Sequence, residues 1–417
     1  MLKRIWILFL FSTLLGQAAF AEFRAAAAYR IVTPDPLLPV SGGVGPSQPA
    51  HEKKGELNVR ALVLEDEDTR VAIVSADFLG FPAALGDRVR AKVKDIPPEN
   101  ILIGATHTHS APDSYGFPNE KGEMSADLDY LNFVCRQMTD AIEEAVANLQ
   151  PADVKIAAGE AKGKIAYNYY AERLYDLRCH VIQCLDSQGK PIATLVNYAI
   201  HPEVLGPDQG ILSPDLVGPL YERIQSQGGG IGVFMNSAQG GMVTADCRGP
   251  DGRDVQTWDE CIRIGYQLAD EALRIVEDAP IQDDPPLECF SRTITFPIES
   301  VMLLRIVKYS PLNYAVTADD AISTRSNIIN LGDAQILTIP GEALPNIGYY
   351  LKRKMKGEHN LLFGLTNDAF GYILTKVDFN SFKRYDYISR TSLGEMTGEI
   401  FIEEALKFAK QCAPNKK

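Results

Sequence analysis

The stretch "ILIGATHTHSAPDSYG", residues 101–116, runs from an apolar segment through His107-Thr108-His109 into a turn rich in Ser, Pro, Asp and Gly. Its first half reads as a buried strand and its second as the loop at that strand's end. Residues i and i+2 of a strand share a face, so this spacing sets both imidazoles on one side. The 417-residue chain has six histidines, for which a chance His-x-His is expected roughly 0.1 times. Paired imidazoles at a strand end suit metal binding or proton transfer.

Around this stretch, short β-like runs alternate with helical ones. "RVAIVSADFLG" (70–80) and "NILIGATHTH" (100–109) read as strands with the helical "AALGDRVRAKVKD" (83–95) between them. Residues 125–149 predict an amphipathic helix capped by Ser125, with Leu131, Val134, Met138, Ile142, Ala145 and Leu149 on one face. Further strands fall at 155–163, 179–187 and 193–201. A helix at 213–227 is bent or delayed by Pro219, and a strand at 232–241 runs into a loop. Thr257-Trp258-Asp259-Glu260 is a capping box for a helix reaching about Glu277. Beyond the Pro- and Asp-rich connector 278–286 the pattern turns more β-like (287–298, 326–340, 360–368), with helices at 341–355 and 398–411. The whole predicts an α/β fold of mixed β-sheets flanked by helices, in one large domain with a possible subdivision near residue 285.

The opening "MLKRIWILFLFSTLLGQAAFA" places Lys3 and Arg4 before an apolar run and a small-x-small site at Ala19-Phe20-Ala21. This is the pattern of a cleavable signal peptide over 1–21, with the mature chain at 22–417, secreted or periplasmic. No later segment has the length a transmembrane helix needs. The formal net charge is −13, and −15 once Lys3 and Arg4 are removed. Such a chain has no electrostatic reason to seek nucleic acid or an anionic membrane. Seven cysteines without a CxxC spacing leave pairing open and exclude a disulfide scaffold. Sequence does not set the oligomeric state.

A second histidine repeats the first pattern: "ATLVNYAIHPEVLG" runs an apolar strand straight into His201. A catalytic zinc site takes two or three histidines and a carboxylate and leaves a position for water. Glu342, in "ILTIPGEALPN", follows a buried strand and opens a helix, as a ligand or as a first-turn Glu favoured by the helix dipole. Asp77 in "IVSADFLG" could orient a ligand histidine or simply bond its own loop. Tyr372 and Tyr385 lie in an aromatic, basic segment. His51, His180 and His359 read as structural or solvated. No G-x-S-x-G nucleophile elbow occurs, and Ser110 beside His109 lacks a third partner for serine chemistry.

These segments, in this order, resemble the neutral/alkaline ceramidases, secreted or surface zinc amidases that cleave the N-acyl bond of ceramide. "FRAAAAYRIVTPDPLLPVSGG" is similar to the start of their catalytic domain, and "ATHTHSAP" to their THTHSGP motif. "VNYAIHPEV" resembles the strand of their second zinc histidine. "IINLGDAQILTIPGEALPNIG" and "GLTNDAFGYILTKVDF" resemble the segments of the zinc glutamate and zinc tyrosine. The resemblance implies Zn2+ held by His107, His201, Glu342 and Tyr372. It sets His109 toward the reacting group and Tyr385 near the developing oxyanion. The implied activity is hydrolysis of an N-acyl bond of a small-molecule or lipid substrate by metal-activated water. The alternative is a zinc-binding member that is inactive or differently specific, acting on an ester or another N-acyl compound. Val243 stands where the family carries a serine, and the chain ends where the family's immunoglobulin-like domain would begin.

Overall fold

The computed structural model describes residues 22–67 and 69–414; the expected signal peptide lies outside them. Eight strands make the larger sheet: β1 (Arg24–Ile31), β2 (Asn58–Asp66), β3 (Thr69–Ala76), β4 (Ile101–Ala105), β5 (Gln150–Glu160), β6 (Arg178–Asp186), β7 (Pro191–Tyr198) and β8 (Ile231–Asn236). They lie in the order β8-β7-β6-β5-β1-β2-β3-β4, and the two-residue Ile281–Gln282 pairs onto β5. The two end pairs, β7 with β8 and β3 with β4, are parallel, and the interior is antiparallel. Four strands make a second sheet: β9 (Leu287–Pro297), β10 (Ala321–Leu331), β11 (Ala334–Thr338) and, after a two-residue β12 (Glu342–Ala343), β13 (His359–Phe363). A final β14 (Tyr372–Ile373) pairs in parallel with β12.

Alternate residues of each strand enter different cores, which builds four layers. Ala61 and Val63 of β2 and Ala72 and Val74 of β3 face α1 (Ala83–Arg90) and α2 (Leu128–Ala147). Farther along the same face, Val181, Val196 and Phe234 meet α3 (Val217–Ser226) and α4 (Trp258–Glu277). The opposite residues Leu62, Leu64 and Ile73 pack on Ile329, Ile336, Leu361 and Phe363 of the second sheet. That sheet's outer residues, Ile328, Leu337 and Leu362, are covered by α6 (Pro345–Lys354) and α7 (Thr397–Gln411), while α5 (Val301–Tyr309) lies between the sheet's first two strands in sequence. Strands covered on both faces need apolar side chains at every position. This is why their sequences read as unbroken runs rather than alternating ones. The connector 278–286 is where the chain passes from the first sheet to the second, and residues from both halves share one core.

Several local expectations shift. Asp127, not Ser125, caps α2, its carboxylate accepting from Tyr130 N at 2.9 Å. Thr257 caps α4 as expected, accepting from Glu260 N. Pro219 sits in the first turn of α3, where its missing N–H costs nothing. The helix expected over 341–355 begins only at Pro345, because Glu342 and Ala343 are drawn into the ladder with Tyr372 and Ile373. All seven cysteines are free thiols, five of them buried. Among the described residues no helix is long and apolar enough to cross a membrane.

Candidate metal centre

β4 ends at Ala105, and His107 takes a left-handed backbone with φ 75°. The two imidazoles therefore do not share a strand face as the spacing suggested. They converge because the chain turns: their ring centroids lie 4.9 Å apart, and those of His107 and His201 lie 4.7 Å apart. A left-handed non-glycine residue costs of order 1–3 kcal/mol and persists only where its surroundings enforce it. Here His107 N bonds Phe78 O at 2.9 Å and His107 Nδ1 meets Leu79 O at 2.6 Å. His201 is fixed in the same manner, its N and Nδ1 both meeting Val243 O, at 2.7 and 2.9 Å.

A carbonyl accepts only, so each Nδ1 carries the proton and each Nε2 lone pair is free. Both Nε2 atoms face one carboxylate oxygen, Glu342 Oε2, at 3.4 Å from His107 and 3.2 Å from His201. Although these atoms are within ion-pair reach, His201 Nε2 and Glu342 Oε2 are buried without a hydrogen-bond partner. Buried acceptors are costly unless satisfied. Donors bound at about 2.0–2.1 Å to a tetrahedral cation stand about 3.3 Å apart, so the spacing fits a small divalent metal. Burial alone would raise the Glu342 carboxyl, but His107 and His201 hold it well below the usual carboxylate range. Burial would likewise lower His201, and Glu342 raises it instead. The cluster is electrostatically prepared for a cation.

His109 lies in the same cluster, the ligating nitrogens of His107, His109 and His201 all falling within 4.8 Å of one another. Its Nδ1 faces Glu203 Oε2 at 3.8 Å, while its buried Nε2 has no partner. Burial pushes His109 down to about 4; Glu203 opposes this, and His107 and His201 add to it. His109 is therefore neutral near pH 7 and able to accept a proton.

The parallel pairing of β12 with β14 sets Glu342 opposite Tyr372. Tyr372 lines the site, its hydroxyl donating to Met242 Sδ at 3.1 Å. Tyr385 is not brought to the cavity. It packs edge-on against Tyr170 and Phe382, with centroids at 5.1 and 5.5 Å. Tyr387, two residues on, lines the cavity instead. Burial pushes Tyr387 up to about 12, with Glu342 and Glu203 adding to the rise, so it stays a hydrogen-bond donor. The sequence reading missed Tyr387 and Glu203; a tyrosine at i+2 of Tyr385 and a carboxylate at i+2 of His201 were the available signals.

The cluster opens on a narrow cavity of about 80 Å³, whose apolar wall includes Val44, Leu79, Phe117, Leu303, Ile306 and Leu393. Val243 contributes its carbonyl to His201 while its side chain is buried in the helix-covered core, away from the cluster. Ser110 is buried and donates to Gly206 O at 3.1 Å, which removes it as a nucleophile. The three other histidines lie outside the cluster: His51 is exposed, His180 is buried within β6, and His359 begins β13.

Asp77 does not orient a histidine. One of its oxygens accepts from Asn58 N at 2.7 Å, and both Nδ1 atoms of the cluster are held by carbonyls. Burial raises its pKa from 3.8 to about 7. The folded protein thus binds one more proton than the unfolded chain between these values, and loses stability as pH rises through that window. Denaturant melts at pH 5 and pH 8 are expected to show a larger loss for wild type than for Asp77→Asn. Parallel losses in the two proteins would refute this.

The fold and site define a mixed α/β protein with a buried histidine–carboxylate centre able to hold a metal. No family model matches the chain. It is 28% identical over 178 residues to neutral ceramidase B of Dictyostelium discoideum and 27% identical over 180 residues to neutral ceramidase A. These segments are 37% of this chain, and the chain spans about 25% of the length of these curated relatives. The crystal structure of neutral ceramidase from Pseudomonas aeruginosa matches with a TM-score of 0.73 at 15% identity, covering 95% of this chain and 76% of that one. A ceramidase complexed with C2 matches equally, at 16% identity. Over most of its length the chain therefore shares the fold of the neutral ceramidase structures, and over 37% of it is similar in sequence to the two curated neutral ceramidases.

Proposed function

We propose that the protein is an exported, zinc-dependent hydrolase of N-acyl amide bonds. The observation that carries this is the convergence of His107 Nε2, His201 Nε2 and Glu342 Oε2 at 3.2–3.4 Å beside an apolar cavity. Two imidazoles and a carboxylate are a common zinc donor set. His107, His201 and Glu342 would hold the metal, with Tyr372 as fourth protein donor once its hydroxyl leaves Met242. When bound, zinc lowers the pKa of water toward about 7 and polarises a carbonyl.

The chain's own groups supply the rest. His109 Nε2 accepts a proton from the attacking water and returns it to the leaving amine. Glu203, facing His109 Nδ1, stabilises the imidazolium formed in between. The Tyr387 hydroxyl, in the place expected of Tyr385, donates to the developing oxyanion. The apolar wall holds an acyl chain and excludes water. Export is supported by the basic, then apolar opening of residues 1–21.

The test is release of free amine from N-acyl amides, abolished by a chelator and restored by zinc. Activity indifferent to metal removal would overturn the reading. His109→Gln is expected to slow turnover by about 10²–10⁴-fold with metal content unchanged. Loss of metal from this variant would instead make His109 a ligand.

A further inference from the structure

Tyr115, Tyr314, Tyr372 and Tyr387 all line the cavity beside the histidine cluster. Two of their hydroxyls are engaged, Tyr372 donating to Met242 Sδ at 3.1 Å and Tyr314 to Tyr115 O at 3.2 Å. Those of Tyr115 and Tyr387 bond no group among the described residues. Tyr387 is the oxyanion donor assigned above, which leaves Tyr115 without a role.

Tyr115 is held firmly. It lies in the loop that begins with His107-Thr108-His109, and its ring stacks on Phe117 with centroids 4.6 Å apart and planes inclined by 13°. Its backbone N donates to Asp113 Oδ1 at 2.7 Å, and its carbonyl accepts from Ser310 Oγ at 2.8 Å as well as from Tyr314. The hydroxyl lies over Gly80, where a Cβ would stand 1.9 Å from it. Gly80 follows Leu79, whose carbonyl fixes His107 Nδ1 at 2.6 Å. The phenol is thus packed on the same turn that holds a histidine of the cluster. Burial raises it well above the ordinary tyrosine range, with Glu342 adding most among the charged groups, so it stays a neutral donor. A sequestered hydroxyl without a partner costs stability; one that served the fold would have a partner.

An N-acyl compound with its alkyl chain in this cavity brings one acceptor to the walls, its carbonyl oxygen. When water adds to the carbonyl carbon, the C=O electron pair moves onto that oxygen. It returns as the C–N bond breaks and His109 gives the proton to the amine. A fixed donor bonds more strongly as the oxygen becomes negative. We infer that the Tyr115 hydroxyl donates to the carbonyl oxygen of the substrate, as a second donor alongside Tyr387; the inference rests on the amidase reading. Gly80 leaves the space that this hydroxyl needs.

The test uses Tyr115→Phe, which keeps the stacked ring and removes only the hydroxyl. The probe is pentylphosphonate, which has the chain of a hexanoyl group, a tetrahedral anionic head in place of the carbonyl, and no bond to cleave. Zinc-loaded wild type is expected to bind it about tenfold or more tightly than the variant, with equal zinc content and a variant Tm no lower than wild type. Affinities within about twofold of each other would overturn the inference, as would a Tm lowered by several degrees, the mark of a hydroxyl that serves the fold. Hydrolysis of N-hexanoyl amides is measured separately, where the variant should lose about tenfold or more in kcat with KM little changed. No cleavage by wild type, with the difference in phosphonate affinity intact, overturns the amidase reading and leaves Tyr115 assigned as a ligand-binding donor.

Discussion

His107→Ala and His201→Ala are each expected to lower kcat/KM for amide cleavage by about 10³-fold or more. The metal supplies several kcal/mol of transition-state stabilisation, and each 1.36 kcal/mol is about tenfold in rate. Each imidazole presents its Nε2 to Glu342 from a ring held in place by a backbone carbonyl. Because the ligands act as a unit, the double variant should be little worse than either single one. Measured by steady-state kinetics, multiplicative losses would mean that the two histidines work independently. Stability should move less than activity, since removing one histidine also relieves the convergence of acceptors around Glu342.

Gly240→Ala should be nearly as damaging without touching a single donor atom. A Cβ at position 240 would lie 2.1 Å from Glu342 O and 2.7 Å from its carbonyl carbon. Those are backbone atoms of β12, so the clash is relieved only by moving β12, whose position Gly240 N also fixes through Ala343 O at 3.0 Å. Shifting the Glu342 carboxylate by about 1 Å costs about 10²-fold in rate. The expected result is a loss of that order, with weaker metal retention and a lowered Tm. Wild-type kinetics in Gly240→Ala would show that Glu342 tolerates displacement and is not a ligand.

Much of this molecule is legible in its sequence, for a physical reason. Its strands are covered on both faces, so β3, β4, β7 and β11 appear as apolar runs, and the loops that follow β4 and β7 bring His107 and His201 together. Other features depend on the chain folding back on itself. Glu342 reads as the start of a helix until β14 pairs with it, and a two-residue ladder leaves no periodic signal. The choice between Tyr385 and Tyr387 turns on a single 3₁₀ turn, Lys383–Tyr385, followed by a five-residue helix. That turn sends one ring into the aromatic stack and the other to the cavity. The opposed pair His109 and Glu203 joins segments 94 positions apart, a relation that local spacing does not reveal.

The most direct test of the metal-dependent account is the metal content of the purified wild-type protein, prepared without chelators and measured by mass spectrometry beside His107→Ala and His201→Ala. The account predicts close to one zinc per chain in the wild type and almost none in either variant. A wild type without metal, or variants that keep it, would contradict the centre formed by His107, His201 and Glu342.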